Sequence, residues 1–209
     1  MDLFNTPKLS FTTPKHLLIV GCGTVGAALV FKLCLHEIEN PTLSKIFIID
    51  FDYLEPKNFP YCGCFKKEDN VGKTKVSVCR HLTRTNENLY LVEASYGRYP
   101  NPAINNLIPK DTMIIDCRDE DDIFQNCSMK INIDGSYGRI RIFPEVSTSD
   151  QTRPVGQSKY QLGCDKYYAD ILTSIVVSLI FEPDAFSERI KSDNIINLKN
   201  GKVIENEHV

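Results

Sequence analysis

Three glycines recur as Gly21-Cys22-Gly23-Thr24-Val25-Gly26, the spacing Gly-x-Gly-x-x-Gly. That spacing suits phosphate binding. The first glycine permits a tight turn, the second lets the backbone come close to a phosphate, and the third lets a helix pack tightly on a strand. The amides that follow, from Thr24 and Val25 onward, open a helix whose dipole favours an anion. Asp50 stands 24 residues beyond Gly26. A carboxylate there can accept hydrogen bonds from the two hydroxyls of a ribose.

These groups work only if the right elements hold them. His16-Leu-Leu-Ile-Val20 is an apolar run too short for a helix and reads as a strand buried on both faces. Ala27 to Glu39 carries apolar residues at helical spacing, and Asn40-Pro41 stops it. Lys45-Ile-Phe-Ile-Ile-Asp50 is a second buried strand, completing a βαβ unit. Residues 51–70, with two prolines, two cysteines and mixed charge, read as a long loop. A helix is expected over 72–86 and strands over 89–93, 111–116 and 128–134. Residues 138–144 alternate Arg and Ile like an exposed antiparallel strand. Residues 147–163 read as a flexible crossover, 167–181 as a buried helix, and Asn200-Gly201 as the turn of a terminal hairpin. The expected fold is α/β: a Rossmann-like, mostly parallel sheet with helices on both faces and antiparallel strands toward the C-terminal end. One domain over 1–209 is the simplest account, with 1–13 as an N-terminal extension and 187–209 as a tail or hairpin.

Composition excludes several classes. Of 209 residues, 42% are hydrophobic and 24% charged, which is a core-forming rather than a disordered mixture. The 24 Lys and Arg against 27 Asp and Glu give a net charge of -3, without the basic excess of a nucleic-acid binder. No apolar run approaches a membrane span, and the N-terminus lacks a secretion signal. The eight cysteines (Cys22, Cys34, Cys62, Cys64, Cys79, Cys117, Cys127 and Cys164) include no Cys-x-x-Cys zinc pair. Most therefore read as small buried hydrophobes, and the expected location is the reducing cytoplasm. His16 and His36 fall in expected core elements and His208 in the tail, so no histidine reads as catalytic.

A longer ordered set narrows the function. Asp50-Phe-Asp52, Glu55, Asn58, Gly72-Lys-Thr-Lys75 and Asp116-Cys-Arg-Asp119 follow the glycine loop in sequence. Together they resemble the ThiF/MoeB/HesA family of ubiquitin-activating-type adenylyltransferases. The resemblance continues to Ile133-Asp-Gly and to Gly163-Cys164, which precedes an apolar helix as the family's crossover cysteine does. It covers roughly residues 14 to 182. It implies joining a carboxylate to the α-phosphate of ATP, with Mg²⁺ and cations neutralising charge. By that resemblance Lys75 holds phosphate, Asp50 binds ribose and Asn58 orients phosphate or acyl oxygens. Asp119 ligates Mg²⁺ and Asp116 supports it. The nucleotide site so implied comprises Gly21, Gly23, Thr24, Val25, Gly26, Asp50, Asp52, Asn58, Lys75 and Asp116. The implied partner is a ubiquitin-like or sulfur-carrier protein or a peptide, with a homodimer or heterodimer as the assembly.

One position departs from the family. Asn58-Phe-Pro-Tyr61 puts tyrosine where the family has an arginine that reaches phosphate. A phenol cannot replace a guanidinium there. Three accounts stand open: local replacement by Lys57, Lys66 or Lys67; an arginine from a second subunit; or a non-catalytic relative that only binds its partner. Cys164, before a helix start, is the candidate thiol for a thioester step, with Cys62 and Cys64 as alternatives. A nicotinamide-dependent oxidoreductase remains a rival resting on the glycine loop and Asp50 alone.

Overall fold

The computed structural model describes residues 13–59, 65, 68–84, 91–118, 130–134, 139–143, 166–182, 195–197 and 204–205. Its elements run β1 (His16–Val20), α1 (Thr24–Glu39), β2 (Lys45–Asp50), α2 (Lys75–Thr83), β3 (Val92–Tyr96), α3 (Pro102–Asn105) and β4 (Met113–Asp116). Next come β5 (Lys130–Asp134), β6 (Arg139–Phe143), α4 (Lys166–Phe181), β7 (Ile195–Asn197) and β8 (Ile204–Glu205). The strands form one sheet in the order β3-β2-β1-β4-β5-β6-β7-β8. From β3 to β5 every pairing is parallel; from β5 onward the pairings are antiparallel.

The strands alternate their side chains between two apolar layers, as a period of two requires. Leu17 and Ile19 of β1 enter the larger core with Leu29, Leu33, Val76 and Leu172, so α1, α2 and α4 cover that face. Leu18 and Val20 enter a smaller core with Ile49, Ile114 and Tyr99, against which Ile104 of α3 packs. The chain thus crosses from one face of the sheet to the other between β3 and β4. The strand order reverses between β1 and β4, and ligands of such sheets bind in the crevice at the carboxyl ends of those strands.

Two expectations shift by a few residues, and a third keeps its place and antiparallel pairing but differs in exposure. The helix expected from 72 starts at Lys75, because Gly72 has φ of +81° and the Thr74 hydroxyl caps the helix by accepting from Ser77 N at 3.3 Å. The strand expected at 89–93 lies at Val92–Tyr96, where pairing with β2 sets Asp50 opposite Tyr96. Partner strands, not local composition, decide that register. The strand expected to be exposed at 138–144 instead lies between β5 and β7, and its Ile140 is fully buried. The crossover expected at 147–163 lies outside the described residues.

At the end of α1 the buried Glu37 carboxylate accepts hydrogen bonds from the Thr42 amide, the Thr42 hydroxyl and the Leu43 amide, each at 2.8 Å. That turn delivers the chain into β2.

Candidate functional site

The loop after β1 is shaped by its glycines. Gly21 adopts φ of +89°, a left-handed conformation that strains other residues, and its amide donates to Ile49 O at 2.9 Å. A Cβ on Gly26 would stand 1.9 Å from the Gly21 carbonyl oxygen, so only glycine lets α1 approach β1 this closely. A Cβ on Gly23 would meet nothing within 4 Å. Gly23 is the N-cap of α1 and no side chain caps the helix. The first-turn amides, including those of Thr24, Val25 and Gly26, therefore face space with the helix dipole behind them.

Asp50, at the carboxyl end of β2, is fixed from both sides. Its Oδ2 accepts from the Cys22 amide at 2.5 Å and its Oδ1 from the Asp52 amide at 2.7 Å. Each oxygen keeps a lone pair, so the oriented carboxylate can still accept from a diol. The loop beyond β2 is laced to the start of α2: Leu54 N donates to Lys73 O at 2.8 Å, Gly72 N to Leu54 O at 2.9 Å, and Lys75 N to Asp52 O at 3.0 Å. This lacing brings Lys75 Nζ to 2.6 Å from Asp52 Oδ2. Lys75 is only 9% exposed, unlike the solvated lysine that a helix start ordinarily carries. Its ammonium has three donors, of which Asp52 takes one.

Asn58 ends a short 3₁₀ turn, Pro56–Asn58, and its Oδ1 accepts from the Glu55 amide at 2.8 Å. What Asn58 can offer a ligand is accordingly its NH₂ group, a donor suited to phosphate or acyl oxygens. Lys57, one of the candidates to replace the family arginine, is exposed and paired with Glu55 at 2.6 Å.

The strand β4 brings a residue whose importance only the fold reveals. Asp116 is fully buried, and Arg118 grips it through Nε to Oδ1 at 3.0 Å and Nη2 to Oδ2 at 3.2 Å. Arg118 Nη1 donates to Tyr99 O at 2.8 Å. The same side chain fills the space beside Gly21, where a Cβ would lie 2.9 Å from Arg118 Cγ. A guanidinium thus sits at the β1/β4 crevice with its charge matched by Asp116. In the sequence this run reads through its acids; an arginine two residues past a buried acid at a strand end was the available signal.

Cys117 beside it is a poor nucleophile: burial pushes its thiol well up and Asp116 pushes it further, with Arg118 opposing. Across the site's rim, the exposed rings of Tyr53 and Tyr96 meet at 5.4 Å between centroids. The Tyr53 hydroxyl, together with the nearby Asp52 and Asp50 charges, holds the Tyr96 phenol neutral above its ordinary range. His36 stacks on Phe181 at 3.7 Å, a packing role.

Asp119, Tyr61, Cys62, Cys64, Cys164, Lys66 and Lys67 lie outside the described residues. Among the described residues no three His, Cys, Asp or Glu side chains converge to hold a metal. Cys22, Cys34, Cys79 and Cys117 form no disulfide. No described helix is long and apolar enough to cross a membrane.

Among curated proteins none matches the chain by sequence. Solved structures do match its fold. Escherichia coli MccB with succinimide superposes with a TM-score of 0.68 at 15% identity, covering 92% of this chain and 63% of that one. The microcin C7 biosynthetic enzyme MccB in complex with N-formylated MccA gives 0.65 at 15% identity, covering 92% and 64%. Escherichia coli MccB with ATP gives 0.64 at 15% identity, covering 92% and 62%. The chain therefore spans somewhat under two thirds of these proteins. The model of the ThiF family matches residues 5–126, more than half of the 209, and the chain belongs to the ThiF family.

Proposed function

We propose that this chain is an ATP-dependent adenylyltransferase that activates the C-terminal carboxylate of a peptide, or of a ubiquitin-like or sulfur-carrier protein. The observation that carries the reading is the three-way junction of the glycine loop, Asp50–Asp52 and Lys75. It places an anion-binding helix start, an oriented carboxylate and a buried ammonium in one cluster. The MccB structures with ATP and with MccA support it as fold relatives.

Each residue then has a task. The α1 amides receive phosphate across the open face of Gly23, and Asp50 accepts from the ribose hydroxyls. Lys75 meets phosphate charge with the donors that Asp52 leaves, and Asn58 donates its amide hydrogens to phosphate or acyl oxygens. The substrate carboxylate oxygen bonds to the α-phosphorus as the bond to the bridging oxygen of the β-phosphate breaks. Pyrophosphate departs with that electron pair and an acyl adenylate remains. Mg²⁺, held in this reading by Asp119, would supply further neutralisation of the phosphates. Asp116 supports that end of β4 through Arg118. The Cys164 thiolate could next displace AMP to give a thioester. A homodimer or heterodimer is the assembly in this reading, and the cytoplasm its location.

The test is ATP–pyrophosphate exchange with peptides and carrier proteins ending in a free carboxylate, beside titrations with ATP and with NADH. Exchange that needs a carboxylate partner supports the reading. Failure to bind ATP with any partner would end it, and NADH binding would favour the oxidoreductase. The family arginine's absence at Tyr61 favours one second reading, a subunit that binds its partner without catalysis. Nucleotide-free binding to a carrier protein, with no adenylate formed when Tyr61→Arg restores the arginine, would favour that second reading. Unchanged product formation by Cys164→Ser would remove the thioester step.

A further inference from the structure

A groove of about 400 Å³ runs between α2 and β3, outside the cluster formed by Asp50, Asp52 and Lys75. Its α2 wall carries Ser77, Arg80, His81 and Arg84; its β3 wall carries Ala94 and Tyr96. Among the described residues no Asp or Glu lines it. The three basic side chains have no acidic partner among the described residues, and Arg80 Nε is buried without an acceptor. A buried guanidinium N–H that lacks an acceptor is costly, so an incoming anion gains more here than at a solvated surface. Glu93, the nearest acid on β3, is committed to Lys45.

The shape selects among anions. β3 is the edge strand of the sheet and pairs with β2 alone, so among the described residues its outer backbone groups have no strand partner. Arg80 and Arg84 are one helical turn apart, about 6 Å along the axis. Alternate side chains of an extended strand recur at about 6.7 Å. An extended chain laid against β3 can therefore present acids two residues apart to both arginines, while its backbone pairs with the strand edge. A free phosphate would meet the arginines but leave that edge unused.

We infer that the α2–β3 groove binds an extended acidic peptide segment carrying acids at alternate positions. This inference rests on the groove alone and is independent of adenylation. Loss of pyrophosphate exchange leaves it untouched, and loss of peptide binding leaves adenylation untouched.

The experiment is fluorescence anisotropy on the full chain, without nucleotide. The probes are a labelled Thr-Glu-Val-Glu-Thr peptide and the same peptide with Gln for Glu. The acidic peptide is expected to bind about tenfold tighter or more, as two charge-assisted contacts imply, and to weaken with salt. The double variant R80Q/R84Q, checked for folding by circular dichroism, should erase that preference. R84E should turn it toward a Lys-containing peptide, a gain that a merely misfolded variant cannot show. Equal binding of the acidic and Gln peptides overturns the inference. So does a folded R80Q/R84Q that keeps the preference, or inorganic phosphate that displaces the acidic peptide at concentrations where chloride does not.

Discussion

Single atoms divide the labour of the glycine loop. Gly26 serves the fold, because any Cβ would run into the Gly21 carbonyl oxygen, and backbone cannot swing aside. Gly26→Ala should therefore cost about 3 kcal/mol or more in urea denaturation, at the upper end of overpacking. Gly23 is not needed by the fold in this way, because a Cβ there touches nothing, and in the proposed reading it leaves room for phosphate. Gly23→Ala should lose less than about 1 kcal/mol of stability, yet weaken ATP by about tenfold. A Gly23→Ala protein that binds ATP as the wild type does would show that phosphate sits elsewhere. Lys75 tests the chemistry in the same way. Its pair with the half-exposed Asp52 contributes little to stability, so Lys75→Ala should unfold within about 1 kcal/mol of wild type. Pyrophosphate exchange should nonetheless fall by about 10²-fold to 10³-fold. Undiminished exchange would leave Lys75 a structural ion-pair residue.

At the scale of elements, the contact between α1 and α2 carries a signature readable by pH. Cys34 of α1 is buried, and desolvation, with Cys79 and Glu37 adding to it, pushes its thiol up to about 12 from an ordinary 9.0. Below pH 9 the thiol is protonated in both folded and unfolded chains, and its contribution is fully present. Between 9 and 12 only the unfolded chain ionises, so stability falls as pH rises, by at most about 1.4 kcal/mol per pH unit. Cys117, whose thiol is also pushed up, adds a slope of the same sign. Urea midpoints taken from about pH 8.5 to 10.5 should decline for the wild type and about half as steeply for Cys34→Ala. Identical slopes would mean that α1 and α2 open to solvent in that range. The same packing explains why α2 was legible only in outline: its apolar face is clear in sequence, but its first residue depends on the Thr74 cap and on the left-handed Gly72.

Over the whole molecule, the two faces of the sheet and the crevice between β1 and β4 are tied through one arginine. Arg118 joins the end of β4 to the Tyr99 carbonyl and packs against Gly21, and its charge neutralises the fully buried Asp116. Arg118→Ala removes the charge partner of that buried carboxylate while its bond from the residue-118 amide remains, and should cost about 3 kcal/mol in thermal or urea unfolding. Replacing both members by neutral residues, as in D116N/R118M, should recover a large part of the loss. A cost below about 1 kcal/mol for Arg118→Ala would mean that water reaches Asp116 and that the crevice is not held by this pair.

Much of this architecture was readable from residue types. His16–Val20 and Lys45–Asp50 are strands because apolar runs that short can bury both faces only inside a parallel sheet. The glycine spacing announced the tight turn at Gly21 and the close packing at Gly26, since a Cβ fits neither position. Tertiary structure alone decided what lies far apart in sequence. Lys75 is buried against Asp52, 23 residues earlier, because the loop after β2 folds back on the start of α2. Arg118 meets Gly21 because strand order, not chain order, sets β4 beside β1. The groove beside β3 exists because that strand ends the sheet. Periodicity and turn chemistry act over a few residues and show in the chain itself. Which strand lies next to which depends on closing loops and burying two faces at once, and no local pattern encodes that.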